Sequence, residues 1–169
     1  WSELCQAKWD VRRMLENLGN DIQCSVFSIA EMQYTGNGPV QKKNAKGLLK
    51  TDAGNKVTGC KLAYYAVQNV TAVFDNTLER IKDASYTHSL AEGDGNRYWI
   101  STDRSIAVYG YRHRETKKRV YTIWKDDAIP GDDCEMTFLD FAFAGGGFED
   151  PVLVDMITGG GSRFMMPRS

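Results

Sequence analysis

Three neighbouring side chains carry the most distinctive chemistry in this sequence: a carboxylate, an amide and a phenol. Glu31, Gln33 and Tyr34 follow directly after an apolar run over Cys24–Ala30. A Tyr ring in such a loop can stack on the face of a sugar. The pattern predicts a substrate-binding cluster made of Glu31, Gln33 and Tyr34. The alternative is that Glu31 begins a solvated loop and Tyr34 is a surface residue without a ligand.

Hydrolysis of a glycosidic bond normally needs two carboxylates that flank the bond, one as acid and one as nucleophile or base. We find no convincing partner for Glu31. Glu3 lies at the start of a predicted helix, where the helix dipole favours an acidic residue whatever the function. The sequence therefore predicts no catalytic residue in this chain.

Metal and cofactor chemistry is not indicated either. The four cysteines have no C-x-x-C spacing and there are only two histidines, so we expect no zinc site and predict reduced thiols. The acidic pairs Asp126-Asp127 and Asp132-Asp133 lack the spacing of an EF-hand loop. We predict no cofactor.

Composition sets the broad class. The 169 residues include 21 basic and 22 acidic side chains, and the pI is about 6.2. This balance gives no pull toward nucleic acid or a membrane surface, and no stretch is apolar for the roughly 20 residues that span a bilayer. The basic residues of 112–114 and 117–119 are predicted to lie at a solvated hairpin tip. The N-terminus lacks both an initiator Met and a signal-peptide pattern, so we expect a fragment.

The elements that position Glu31 are a helix, a strand and a second helix. The first helix carries one apolar stripe at helical period, formed by Ala7, Val11, Met14, Leu15 and Leu18. The run Cys24–Ala30 is typical of a strand buried on both faces, and Lys61–Phe74 gives a second helix. This order predicts the last helix–strand–helix unit of a (β/α)₈ barrel, in which side chains at strand ends form the active site.

The second half is predicted to be all-β and to form an antiparallel β-sandwich or a small sheet. Its predicted strands are separated by Gly-, Pro- and Asp-rich turns and cover Tyr98–Ser101, Ile106–Arg112, Arg119–Trp124, Met136–Phe143 and Val152–Ile157. We therefore divide the chain into residues 1–77, the barrel segment, and residues 78–169, a sandwich-like domain.

Four segments resemble clan A glycoside hydrolases. Residues 6–13 with Asn17-Leu18-Gly19 are similar to the seventh-helix pattern Q-A-K-x-L-x-R before N-L-x-x-G. Residues 61–70 resemble the eighth-helix pattern K-x-A-Y-x-A-L-Q-N-L, and Gly47-Leu48-Leu49 matches the G-L-L before it. Residues 148–159 are similar to the D-P-V-x-V-D-L-x-T-G strand of the adjoining β-sandwich.

The resemblance implies the C-terminal portion of a retaining glycoside hydrolase that acts on poly- or oligosaccharide. In that superfamily the acid/base Glu follows strand four and the nucleophile Glu ends strand seven, so both would precede this chain. The implied partners are carbohydrate and the missing N-terminal barrel half, with no nucleic acid and no membrane, and the implied location is extracellular or periplasmic. The alternative is a non-catalytic carbohydrate-binding or structural β-sandwich module that uses Trp99 or Trp124.

One sequon, Asn69-Val70-Thr71, fits the pattern for N-glycosylation. Helical phase places Asn69 within the apolar stripe of the second helix. We therefore predict that Asn69 carries no glycan and that its amide is hydrogen-bonded at a helix contact.

Overall fold

The computed structural model describes residues 2–34, 42–84, 86–92, 96–97, 106–126, 129–133, 139–143 and 148–163. The chain divides into two compact units. Unit 1 comprises Trp1–Asp75 and Val154–Gly161, and unit 2 comprises Asn76–Leu153 and Ser162–Ser169. The main break thus falls two residues before the boundary that we predicted at 77, while the segment Val154–Gly161 belongs to unit 1.

Two helices form the core of unit 1. Helix α1 spans Glu3–Gly19 and begins at Ser2, whose hydroxyl accepts a hydrogen bond from the Cys5 N–H. Helix α2 spans Leu62–Val73. The two helices pack on each other through small and branched side chains that are almost completely buried: Ala7, Val11, Leu15, Ala63, Ala66 and Val70. The helical periodicity in the sequence therefore locates both helices and the buried face of α1. On α2 we expected a stripe of Leu62, Tyr65, Ala66 and Val73, but the buried residues are Ala63, Ala66 and Val70, and Tyr65 is 51% exposed.

The predicted strand over Cys24–Ala30 is not a strand in the structure. The segment pairs only at its end, where Ala30 forms an isolated parallel bridge with Leu49. Burial alternates along it, and Phe27 and Ile29 are 63% and 65% exposed. The prediction of burial on both faces was wrong, because every second side chain of the segment is exposed to solvent. Its described backbone hydrogen bonds to other parts of the chain reach only Leu48 and Leu49.

Two short antiparallel hairpins complete unit 1. Strand β1 (Met32–Tyr34) pairs with β2 (Lys42–Asn44), and β3 (Leu49–Thr51) pairs with β4 (Val57–Cys60). The β3–β4 turn is held by Asp52, whose side chain accepts hydrogen bonds from the N–H groups of Gly54 and Lys56, both 2.9 Å. Glu31 lies between the bridge at Ala30 and the start of β1.

Unit 2 contains small antiparallel sheets. Its strands are β5 (Leu78–Ile81), β6 (Tyr86–Glu92), β7 (Asn96–Arg97), β8 (Ile106–His113), β9 (Arg119–Lys125) and β10 (Leu139–Phe143). They form two sheets with the orders β5-β8-β9 and β10-β6-β7. A further pair joins β11 (Val152–Val154) to β12 (Gly161–Arg163), and the segment between these strands is the part that belongs to unit 1.

The predicted strands of the second half agree with the structure to different degrees. Strands β8 and β9 extend one residue beyond Ile106–Arg112 and Arg119–Trp124. The prediction over Val152–Ile157 is too long, because the chain turns at Asp155, whose carboxylate accepts a hydrogen bond from the Thr158 hydroxyl at 2.7 Å. Tyr98–Ser101 and residues 136–138 lie outside the described residues. The assignments to a barrel segment and a sandwich stay predictions.

Candidate functional site

Glu31 is a buried carboxylate with its backbone held on both sides. Its residue is 4% exposed, its N–H donates to the Leu49 carbonyl at 2.9 Å, and its carbonyl accepts from the Thr51 hydroxyl at 3.2 Å. These bonds attach the start of β1 to strand β3. The position of Glu31 is therefore set by the neighbouring hairpin.

The carboxylate of Glu31 binds two lysines, one on each oxygen. Oε1 lies 2.6 Å from Nζ of Lys61, whose side chain is 7% exposed, and Oε2 lies 2.7 Å from Nζ of Lys43, whose side chain is 42% exposed. Oε2 also accepts a hydrogen bond from the Thr51 N–H at 3.3 Å. One oxygen thus faces a buried cation and the other a cation at the surface.

Lys61 extends this contact into a buried polar cluster, which we define as Gln6, Glu31 and Lys61. Nζ of Lys61 also donates to the Ala45 carbonyl at 2.6 Å and to Oε1 of Gln6 at 3.2 Å. Nε2 of Gln6 donates to the Lys46 carbonyl at 2.9 Å. The buried polar cluster therefore joins α1 and the loop at 45–46 to the residues directly before α2 and directly before β1.

The protein environment sets the charge state of Glu31. Burial by itself would raise the pKa of this carboxyl, but hydrogen bonds from Lys43 and Lys61 and from the Thr51 N–H outweigh it and lower the pKa to about 2. Glu31 is consequently ionised at neutral pH. A general acid must hold a proton near the operating pH, so Glu31 does not suit that role.

Gln33 and Tyr34 are more accessible than Glu31. The Gln33 N–H donates to Oδ1 of Asn55 at 2.7 Å and its carbonyl accepts from Nδ2 of Asn55 at 3.3 Å, so its backbone is fixed while the residue is partly exposed. Tyr34 is 47% exposed. The structure thus places the three predicted residues on one short segment, with Glu31 inside the unit and Tyr34 at its surface.

Glu3 has the structural role that its sequence position suggested, with an additional partner. One of its oxygens pairs with Lys50, and Oε2 accepts a hydrogen bond from the Leu62 N–H at 3.2 Å. The hydrogen bond from Lys50 lowers the pKa of Glu3. Because Lys61 makes no side-chain cap for α2, this carboxylate from α1 satisfies a donor at the start of α2.

In unit 2 the aromatic residue that we singled out is held by two neighbours. The indole N–H of Trp124 donates to Oδ1 of Asp126 at 3.1 Å, and its ring lies 5.6 Å from that of Tyr109. Trp99 lies outside the described residues. Cys5, Cys24 and Cys60 are free thiols, and in the described part of the chain no group of three or more His, Cys, Asp or Glu residues could hold a metal ion.

No described helix is long and apolar enough to cross a membrane. Comparison with family models, with curated proteins and with solved structures finds no match for this chain.

Proposed function

We propose that the chain is the C-terminal portion of a retaining glycoside hydrolase acting on poly- or oligosaccharide, and that it supplies sugar contacts and not the catalytic carboxylates. The observation that carries this proposal is that Tyr34 is half exposed and follows the partly exposed Gln33 on strand β1, so that both residues are accessible to a ligand. Aromatic side chains and a small number of polar groups are common in ligand-binding sites. The resemblance of both helices to clan A glycoside hydrolases supports sugar as the ligand.

Each of the three residues has a defined part in this proposal. Tyr34 offers a ring on which a sugar face stacks, and the amide of Gln33 can both donate to and accept from hydroxyl groups. The ionised carboxylate of Glu31 is an acceptor only. Its Oε2 accepts a hydrogen bond from a sugar hydroxyl when the long, exposed side chain of Lys43 moves off this oxygen. Lys61 stays paired with Oε1.

The proposal leaves catalysis to the N-terminal half of the barrel. Glu31 is ionised and already bonded to two lysines, and one carboxylate cannot act as both acid and nucleophile. We expect the isolated chain to hydrolyse no aryl glycoside. Turnover by the purified chain that disappears in Glu31→Gln would contradict this expectation.

A titration with a panel of neutral oligosaccharides, followed by NMR, tests the sugar contact. Tyr34→Ala is expected to weaken binding about five- to tenfold, the equivalent of about 1 kcal/mol of ring contact. Tyr65→Ala is the matched control, because Tyr65 is 51% exposed on α2 and plays no part in the proposal. If the two variants bind equally well, Tyr34 is not the sugar contact.

The second candidate function is a non-catalytic carbohydrate-binding module in the β-rich half. It is favoured by the neighbouring rings of Trp124 and Tyr109, which are both only partly buried, and by the hydrogen bond that the indole N–H donates to Asp126. The same titration separates the two candidates. Loss of oligosaccharide binding in Trp124→Ala with unchanged binding in Tyr34→Ala would favour the module.

A further inference from the structure

The turn between β8 and β9 concentrates positive charge. Within residues 112–119, which we name the basic hairpin tip, there is one acidic residue, Glu115, and five basic ones: Arg112, Arg114, Lys117, Lys118 and Arg119. With the histidine neutral this segment carries a net charge of +4. Since the whole chain carries −1, all other residues together carry −5. The hairpin tip is therefore a cationic site on an otherwise acidic chain.

Backbone hydrogen bonds hold the basic hairpin tip in one conformation. The His113 N–H donates to the Lys118 carbonyl at 2.8 Å, and the Lys117 N–H donates to the His113 carbonyl at 3.0 Å. Nδ1 of His113 accepts from the N–H groups of Glu115 and Thr116, both at 3.2 Å. A partner would meet cations on an ordered backbone, which reduces the entropy lost on binding.

Most of these cations form no ion pair with the described carboxylates, although Nζ of Lys117 donates a hydrogen bond to the Arg114 carbonyl within the tip. Arg112 pairs with Glu79 at 3.0 Å. The other four basic side chains are exposed, and they form no ion pair with any carboxylate in the described part of the chain: Arg114, Lys117, Lys118 and Arg119. Surface cations that are not neutralised by a carboxylate are available to an external polyanion.

We propose that the basic hairpin tip binds a polysaccharide that carries carboxylate groups, such as a polyuronate. Only the choice of a sugar polymer rests on the proposed function, since the charge argument is independent of it. A nucleic acid fits less well, because its phosphates are more closely spaced than the carboxylates of a polyuronate and would meet more repulsion from the net charge of −5 on the remaining residues. Binding should be electrostatic and therefore sensitive to salt.

Binding of polygalacturonate to the full chain, compared with uncharged dextran, tests the proposal. The charge-removal variant is Arg114→Gln/Lys117→Asn/Lys118→Gln, in which Asn suits the positive φ of 59° at Lys117. The matched control, Arg13→Gln/Lys56→Gln/Lys82→Gln, removes three exposed cations elsewhere. We expect the first variant to lose about tenfold or more in affinity, and the control to stay within about twofold of the wild type.

The wild type should also bind polygalacturonate more weakly at about 300 mM than at about 50 mM NaCl. Equal losses in the two triple variants, or no preference of the wild type for polygalacturonate over dextran, would overturn the proposal. Tighter binding to duplex DNA than to polygalacturonate would overturn it in favour of nucleic acid. Thermal unfolding establishes that both variants fold. If Tyr34→Ala binds both polygalacturonate and neutral oligosaccharides as well as the wild type does, the proposed function is rejected and this inference is unaffected.

Discussion

In the interior of unit 1, the Glu31 carboxylate and the Lys61 ammonium are both removed from water. Each loses its hydration on folding, and that loss is compensated by their mutual attraction together with the hydrogen bonds that Lys61 donates to Gln6 and to the Ala45 carbonyl. A buried pair of this kind depends on both members. Removing one leaves the other charged and incompletely satisfied.

We therefore expect Lys61→Met to destabilise the fold by about 3 kcal/mol, because Glu31 would remain buried with only the partly exposed Lys43 opposite it. Urea denaturation measures the change. Lys50→Met is the control, since it breaks the ion pair with Glu3 at a solvent-screened position and should cost far less. Similar midpoints for the two variants would show that the buried pair does not stabilise the fold.

Glu31 should also make stability depend on pH. Its pKa is lowered from the usual 4.5 to about 2, so the ionised form stabilises the folded state above pH 4.5 and this contribution is lost as pH falls toward 2. The difference corresponds to about 3 kcal/mol. Glu31→Gln should flatten the decline in the free energy of unfolding over this range. An unchanged decline in the variant would assign it to other carboxylates.

Sequence reasoning located Glu31 but not the residues that bind it. The apolar run before Glu31 marked its position, whereas Gln6 and Lys61 meet although they are 55 positions apart. Periodicity gives the face on which a helical residue lies and not its partner on another element. Gln6 and Lys61 did belong to the segments that resemble glycoside hydrolases, which was the one signal that could have drawn attention to them.

At the scale of elements, α2 is hydrogen-bonded to the turn at 155–160, a partner that the sequence did not predict. Nδ2 of Asn69 donates to the Met156 carbonyl at 3.1 Å. Gly159 in the same turn has φ of +75°, and a Cβ there would lie 2.9 Å from Oδ1 of Asn69. The amide is thus bonded as we predicted, but its partner is this turn.

We expect Asn69 to remain unglycosylated when the chain passes through a eukaryotic secretory pathway. A glycan attaches to Nδ2, the atom that donates to Met156. Asn69→Ala should lower the free energy of unfolding by about 1–3 kcal/mol, because the Met156 carbonyl would lose its donor. Intact-mass analysis tests the first expectation. A glycan on Asn69 of the folded protein would mean that the helix or its phase is misread.

The helices and the long strands of unit 2 were predictable because their patterns are local. Amphipathic periods locate α1 and α2, and β-branched and aromatic runs locate β8 and β9. The segment Cys24–Ala30 was not predictable in this way. An apolar run becomes a strand only when a neighbouring chain supplies hydrogen-bond partners, and that neighbour is not a property of the run itself.

At the scale of the whole molecule, the exposed side chains of Phe27 and Ile29 favour self-association. They lie two residues apart on a segment whose described backbone hydrogen bonds to other parts of the chain reach only Leu48 and Leu49. We expect the wild type to form oligomers at high concentration, measured by sizing with light scattering. Phe27→Ser/Ile29→Thr should shift it toward monomer, whereas Ile129→Ser, at another exposed apolar residue, should not. A sharp wild-type monomer peak would contradict this expectation.

The contact of Asn55 with Gln33 has a consequence for that same tendency. Its side-chain amide accepts from the N–H of Gln33 and donates to its carbonyl, as a residue of an adjacent strand would. Because this one amide occupies both the N–H and the carbonyl of Gln33, these groups cannot pair with an additional strand at the outer edge of β1. The β1–β2 hairpin can present Tyr34 to solvent without offering its backbone as a template for aggregation, and this protection depends on a single side chain at the β3–β4 turn.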